Sequence, residues 1–179
     1  MFRGITMSER VDKAIREIVD FPKKGIVFKD ATTAIRKPEI FKEIIDYFVE
    51  KFKDTEFDYI AAIESRGFFL AAPVAYLMGK GLIVIRKPGK LPPETISAEY
   101  DLEYGSDKLE ISVDAIKAGQ KAIIMDDLMA TGGTVAAAVE LIEKLGASVP
   151  KVAFLMELEA LKGREKLSSK IDVVSMLKY

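Results

Sequence analysis

The sequence predicts an α/β fold, a mainly parallel, twisted sheet flanked by helices, and three observations lead there. Short continuous apolar runs recur at 59–63, 82–85, 122–125 and 152–156, the pattern of strands buried on both faces. Helical segments alternate with most of those runs, which favours a sheet covered on both sides. A stretch rich in Pro, Gly and charge over 87–105 breaks the rhythm and reads as a flap projecting from the sheet.

Taken in order, a helix is expected over 7–19, where Val11, Ile15 and Ile18 share a face and Thr6 with Glu9 makes a capping-box pattern. A turn-rich segment around Pro22 and Gly25 then runs into Ile26, Val27 and Phe28. Pro38 starts an amphipathic helix carrying Ile40, Phe41, Ile44, Ile45, Phe48, Val49 and Phe52. After the first buried strand, 67–78 reads as an apolar helix ending at Gly79, followed by the second strand at 82–85. The flap is bordered by alternating patterns at 96–104 and 108–113, which suggest a hairpin. Beyond the third strand, a helix over 135–145 is closed by Gly146. The fourth strand is followed by a short helix near 161–167 and a last strand at 171–176.

At 179 residues the chain suffices for one core, and a single domain over 1–179 is expected. Lys and Arg number 27 against 28 Asp and Glu, which argues against a protein built to coat nucleic acid. His and Cys are absent. That excludes a Ser-His-Asp triad, an imidazole base, a thiolate nucleophile, disulfides and cysteine–zinc centres. A bound metal would sit on oxygen, which favours Mg²⁺, Mn²⁺ or Ca²⁺. Residues 1–20 show no secretory signal, and the most apolar stretch, 67–79, is too short for a bilayer and contains Pro73. A cytoplasmic protein with neither membrane nor nucleic-acid partner is the expectation.

Chemistry concentrates in the run Met125, Asp126, Asp127, Leu128, Met129, Ala130, Thr131, Gly132, Gly133, Thr134, just before a helix. In a parallel sheet, ligands bind beyond the carboxyl ends of strands, where this acid pair falls. Two adjacent carboxylates can accept hydrogen bonds from a vicinal diol or hold a cation through water. The Gly-Gly turn offers backbone N–H groups, two hydroxyls and a helix N-terminus to a phosphate. The run is neither a Walker A loop nor a dinucleotide fingerprint. A diol beside a monophosphate suggests a ribose 5-phosphate. Arg66, in Glu64-Ser65-Arg66-Gly67 at another strand end, could give bidentate contacts to phosphate oxygens. Arg86, Lys87 and Lys90 form a cationic cluster at the base of the flap, suited to a second, polyanionic phosphate group. Glu103 and Tyr104, near the far end of the flap, could be carried over a closed site, where Glu103 could exchange a proton with a heterocycle nitrogen.

The run from Met125 to Thr134 resembles the diphosphoribosyl-binding signature of type I phosphoribosyltransferases. Three further segments are similar to the adenine-specific branch: Asp20-Phe21-Pro22-Lys23-Lys24-Gly25-Ile26-Val27-Phe28-Lys29-Asp30, Glu64-Ser65-Arg66-Gly67-Phe68, and Arg86 through the flap to Tyr100-Asp101-Leu102-Glu103-Tyr104-Gly105. The resemblance implies transfer of 5-phosphoribosyl from its 1-diphosphate to adenine, with Mg²⁺, giving AMP and pyrophosphate. It further implies that Asp126 and Asp127 hold the ribose hydroxyls. Ala130, Thr131, Gly132, Gly133 and Thr134 would hold the 5′-phosphate, and Arg66, Arg86, Lys87 and Lys90 would face the diphosphate. Val27, Phe28 and Lys29 would wall the purine with Leu128 opposite, the base edge being read by main chain and Phe28 stacking on the ring. Glu103 would be the lid acid/base with Tyr104 beside it, and Glu103 and Arg66 the catalytic groups. Residues 1–35 would form a hood over the purine, about 86–108 the flap, and the protein a homodimer. Lys29 stands where many members have arginine, and Ala31 where a larger aliphatic is common. Two alternatives remain: a transferase for xanthine, guanine or hypoxanthine, and a non-catalytic regulator that binds phosphoribosyl diphosphate.

Overall fold

The computed structural model describes residues 6–21, 23–101 and 106–179. Thr6 caps the first helix, α1 (Met7–Ala14): its Oγ1 accepts the Glu9 N–H at 3.3 Å, and the Glu9 carboxylate accepts the Thr6 N–H at 2.6 Å. The expected capping box is therefore present. The helix stops at Ala14, however, where periodicity predicts it to run to 19. Ile15 is extended, and the chain enters a short strand, β1 (Arg16–Val19), antiparallel to β2 (Val27–Asp30). Ile18 fits the helical spacing of Val11 and Ile15, yet it lies opposite Phe28 across this hairpin. Pairing with a segment ten residues on overrides the local period.

After a single turn, α2 (Thr32–Ile35), Pro38 opens α3 (Pro38–Phe52), which buries Ile40, Ile44, Ile45, Phe48 and Phe52. There follow β3 (Tyr59–Ile63), α4 (Gly67–Met78), β4 (Gly81–Ile85), the hairpin strands β5 (Thr95–Asp101) and β6 (Ser106–Ser112), β7 (Ala122–Met129), α5 (Gly133–Lys144), β8 (Lys151–Glu157) and β9 (Asp172–Lys178). Five strands form a parallel sheet in the order β4-β3-β7-β8-β9, with the two antiparallel ribbons beside it. Alternation splits the core in two. Ile60 and Ala62 pack with α1, α3 and α4 on one face; Ala61 and Ile63 pack with α5 and the β5–β6 hairpin on the other.

This topology decides where a ligand can lie. From β3 the chain crosses to β4 on one side, and from β7 to β8 on the other, so β3 and β7 flank a topological switch point. The β3–β7 pairing ends at Ala62 and Met125. Residues 126–129 of β7 continue beyond it, paired only with β8, which opens a crevice at the end of β3.

The helix predicted at 161–167 is instead two 3-10 turns, Glu159–Leu161 and Gly163–Lys166, because Lys162 between them has a left-handed φ of 53°. Arg164 grips the buried Glu157 carboxylate through two bonds of 2.6 and 2.7 Å. The turn packs Gly163 onto Gly132, whose φ is 80° and whose added Cβ would sit 2.3 Å from the Gly163 carbonyl oxygen. Gly132→Ala should therefore cost about 2 kcal/mol or more. At this length that is a fall in Tm of roughly 4–8 °C, readable by calorimetry. An unchanged Tm would mean the loop is not held against the 3-10 turn.

Candidate active site

The crevice is a cleft of about 410 Å³ lined by Glu64, Ser65, Arg66, Tyr100, Asp126, Asp127, Leu128 and Thr134. A smaller cavity of about 70 Å³ adjoins it, lined by Ala130, Thr131, Gly132 and Thr134 with Asp126, Leu128 and Met129. Two helix N-termini meet here, α4 at Gly67 and α5 at Gly133, and the positive ends of both helix dipoles favour anions. The approach of α4 needs a glycine: a Cβ on Gly67 would lie 2.8 Å from the Met125 carbonyl and 3.1 Å from Asp126 Oδ1.

Charge is organised in linked pairs. Arg66 Nε lies 2.6 Å from Asp127 Oδ2, and Asp127 is only 4 % exposed. That oxygen nonetheless accepts no hydrogen bond, because the guanidinium sits beside it without aiming an N–H at it. The contact is an ion pair of poor directionality. The Asp127 N–H donates to Asp126 Oδ1 at 2.8 Å. Burial, and then the adjacent Asp127 carboxylate, push the Asp126 carboxyl well above its ordinary value.

Glu64 organises the cations. Its carboxylate, 5 % exposed, accepts from Arg86 Nε at 2.9 Å and Lys90 Nζ at 2.6 Å. Burial raises the Glu64 carboxyl, but the Lys90, Arg86 and Lys87 backbone donors together outweigh it, and the net shift is downward. Lys87 turns to the hairpin, with Nζ 2.8 Å from Asp107 Oδ2. Tyr100 of β5 reaches the same carboxylate at 3.3 Å and lines the cleft with Thr134.

Of the residues singled out in the sequence, Arg66, Asp126, Asp127, Leu128 and Thr134 line the main cleft, and Ala130, Thr131 and Gly132 line the small cavity beside it. Gly133 starts α5 there. Arg86 and Lys90 join them through Glu64. Phe28 stands nearby, its ring centroid 5.5 Å from the Arg66 guanidinium. Val27 and Lys29 alternate to the other face of β2, and the Lys29 ammonium is engaged by Glu17 and the Tyr179 ring. Glu103 and Tyr104 lie outside the described residues. Sequence reasoning assigned no role to Glu64, Tyr100, Asp107 or Gly163. The partners of Glu64 are 22 and 26 residues away, which no spacing rule reveals, and Tyr100 meets Asp107 only through the register of the hairpin.

Residues 31–178 match the phosphoribosyl transferase domain family. The adenine phosphoribosyltransferase of Clostridium tetani is 52% identical over 165 residues, 92% of this chain and 95% of that one. The chain belongs to the adenine phosphoribosyltransferase family. A crystal structure of the family's member from Thermoanaerobacter pseudethanolicus superposes with a TM-score of 0.93 at 49% identity, covering 96% of this chain and 99% of that one. The Saccharomyces cerevisiae adenine phosphoribosyltransferase, solved with an imino-altritol bisphosphate and adenine, gives a TM-score of 0.90 at 42% identity, covering 95% and 98%. The parallel sheet and flanking helices expected from the sequence are thus those of this phosphoribosyltransferase family.

Asp126 carries the clearest consequence. A carboxyl whose pKa is raised in the folded state keeps its full contribution below its ordinary value of 3.8 and loses it as pH rises towards the folded-state value. Asp126→Asn keeps the acceptor for the Asp127 N–H and has no charge to lose. Its Tm should match wild type below about pH 3.8 and exceed it at neutral pH, while phosphoribosyl transfer falls. Equal melting temperatures at pH 7 would remove the like-charge repulsion from the account.

Proposed function

We propose that this phosphoribosyltransferase joins adenine to the 5-phosphoribosyl group of 5-phosphoribosyl 1-diphosphate, releasing pyrophosphate and forming AMP. The observation that carries it is a carboxylate pair in a cleft that adjoins a Gly-Gly anion cradle and is joined through Glu64 to a cation cluster. The adenine and bisphosphate bound to the yeast relative support the same ligand chemistry. Asp126 and Asp127 accept the ribose hydroxyls; residues 130–134 surround the 5′-phosphate; Arg66, Arg86, Lys87 and Lys90 face the diphosphate. The purine lies between Phe28 and Leu128, with the main chain of Val27 and Lys29 at its edge.

The reaction replaces the C1–O bond to diphosphate by a C1–N bond through an oxocarbenium-like centre. The protein's contribution is positioning together with stabilisation of the departing charge. Arg66 leaves Asp127 for the diphosphate, which frees Asp127 for the ribose hydroxyls. The lid carboxylate of Glu103, beside Tyr104, manages the purine proton. The β5–β6 hairpin as flap and residues 1–35 as hood exclude water that would hydrolyse the activated sugar.

Among the described residues no group of three or more Asp, Glu, His or Cys side chains could hold a metal. Mg²⁺ would be held mainly through the diphosphate, the ribose hydroxyls and water, with no direct side-chain ligand, and Asp126 and Asp127 could meet it through water. It would neutralise charge on the departing diphosphate. No described helix is long and apolar enough to cross a membrane. A cytoplasmic enzyme acting without nucleic acid completes the reading.

We also propose a homodimer through α4. All twelve residues of α4 are uncharged, and Phe69, Tyr76 and Leu77 stand 50%, 84% and 58% exposed at helical spacing. Leu82 of β4, the edge strand, is exposed too. A helix apolar all round belongs in a core or an interface, and a two-fold axis would pair this stripe with itself.

Two measurements test these readings. Steady-state assays with Mg²⁺ and four bases should give pyrophosphate release with adenine at least about a hundredfold above hypoxanthine, guanine or xanthine; an oxo-purine preference with adenine inert would overturn the assignment. Sedimentation of Tyr76→Lys should show monomer where wild type is a dimer, and an unchanged dimer would remove α4 from the interface.

A further inference from the structure

Tyr179, which follows β9, is fixed at both backbone groups. Its N–H donates to the Glu157 carbonyl at 2.9 Å, and its carbonyl accepts the Glu159 N–H at 2.8 Å. Its phenol donates to Asp12 of α1, and burial together with that carboxylate raises the phenol's pKa, so it remains a neutral donor. Lys29 Nζ stands 3.7 Å over the centre of the Tyr179 ring and pairs with Glu17, its cross-strand neighbour. A cation so placed is attracted by the ring face, the more so when water is partly excluded. The lysine side chain is 14% exposed.

The contact matters because of what the same strand carries on its other face. β2 is four residues long, and its alternation sends Lys29 to Tyr179 and Phe28 to the opposite side. There Phe28 meets Phe21 edge-on at 5.3 Å and lies 5.5 Å from the Arg66 guanidinium. Pairing with β1 fixes the register of so short a strand, and Asp30 anchors its far end through Arg16 and Thr32. The Lys29–Tyr179 contact adds a tether next to Phe28, on the opposite face of the strand.

We propose that Tyr179 is a positioning residue for the base-binding wall: acting through Lys29, it sets the orientation of β2 and so the placement of Phe28 at the cleft. Tyr179 touches neither the acid pair nor the cation cluster, so its influence falls on the base and spares the activated ribose. The inference rests on the proposed reading that Phe28 borders the purine.

Steady-state kinetics of Tyr179→Leu, Tyr179→Phe and Lys29→Met test it. Tyr179→Leu should raise the KM for adenine about five- to tenfold and leave the KM for 5-phosphoribosyl 1-diphosphate within about twofold. Tyr179→Phe keeps the ring beneath Lys29 and should restore most of the loss. Lys29→Met should reproduce the leucine variant, and combining the two should add little, as expected for partners in one contact. Unchanged constants, or equal rises in both Michaelis constants, would overturn the proposal. A wild-type protein that releases no pyrophosphate on adding adenine would instead overturn the function on which it rests.

Discussion

Arg66 and Asp127 face each other from the ends of two adjacent parallel strands, and their 2.6 Å contact holds together groups of opposite charge on which everything nearby depends. A nearly buried carboxylate is tolerated only with a partner. Asp127 has one, but the guanidinium aims no N–H at it, so the pair is close without being optimal. Beside it, Asp126 carries a carboxyl raised by burial and by its neighbour. Across the cleft, Glu64 collects Arg86 and Lys90. Carboxylates and cations of the site thus face one another, and on the proposed reading a ribose diphosphate exchanges these contacts for its own. Such arrangements cost stability and persist where function requires them.

The sheet makes that juxtaposition possible. Because β7 runs past the end of its pairing with β3, its acid pair reaches the crevice while α4 begins on the other side of the opening. A second layer keeps the anion loop in place. Glu157 holds Arg164, and the 3-10 turn packs Gly163 onto Gly132. Glu157, Arg164 and Gly163 need touch no substrate to matter to its binding.

The parallel sheet was readable because its strands are short, continuous apolar runs, and the Gly-Gly turn because its residue types have few other uses. Strand β1 was hidden: Val11, Ile15 and Ile18 satisfy a helical period, and only pairing with β2 turns 16–19 into a strand. The 3-10 turns at 159–166 were hidden likewise, since nothing in the composition announces a left-handed Lys162. Within the site, sequence identified the groups that carry charge and missed those that aim them. Glu64 and Asp107 are ordinary acids until the fold brings lysine and arginine to them. Lys29 stood in a quoted motif, yet its ammonium turns from the cleft, because strand alternation gives that face to Tyr179.

On the proposed reading the acid pair and the Gly-Gly turn grip the two ends of one ribose phosphate. A crystal structure with 5-phosphoribosyl 1-diphosphate bound tests it most directly. Ribose hydroxyls should stand within hydrogen-bond distance of Asp126 and Asp127, the 5′-phosphate within the loop at 130–134, and Arg66 should have moved from Asp127 to the diphosphate. A bound ligand that leaves the Arg66–Asp127 pair intact and the acid pair untouched would contradict it.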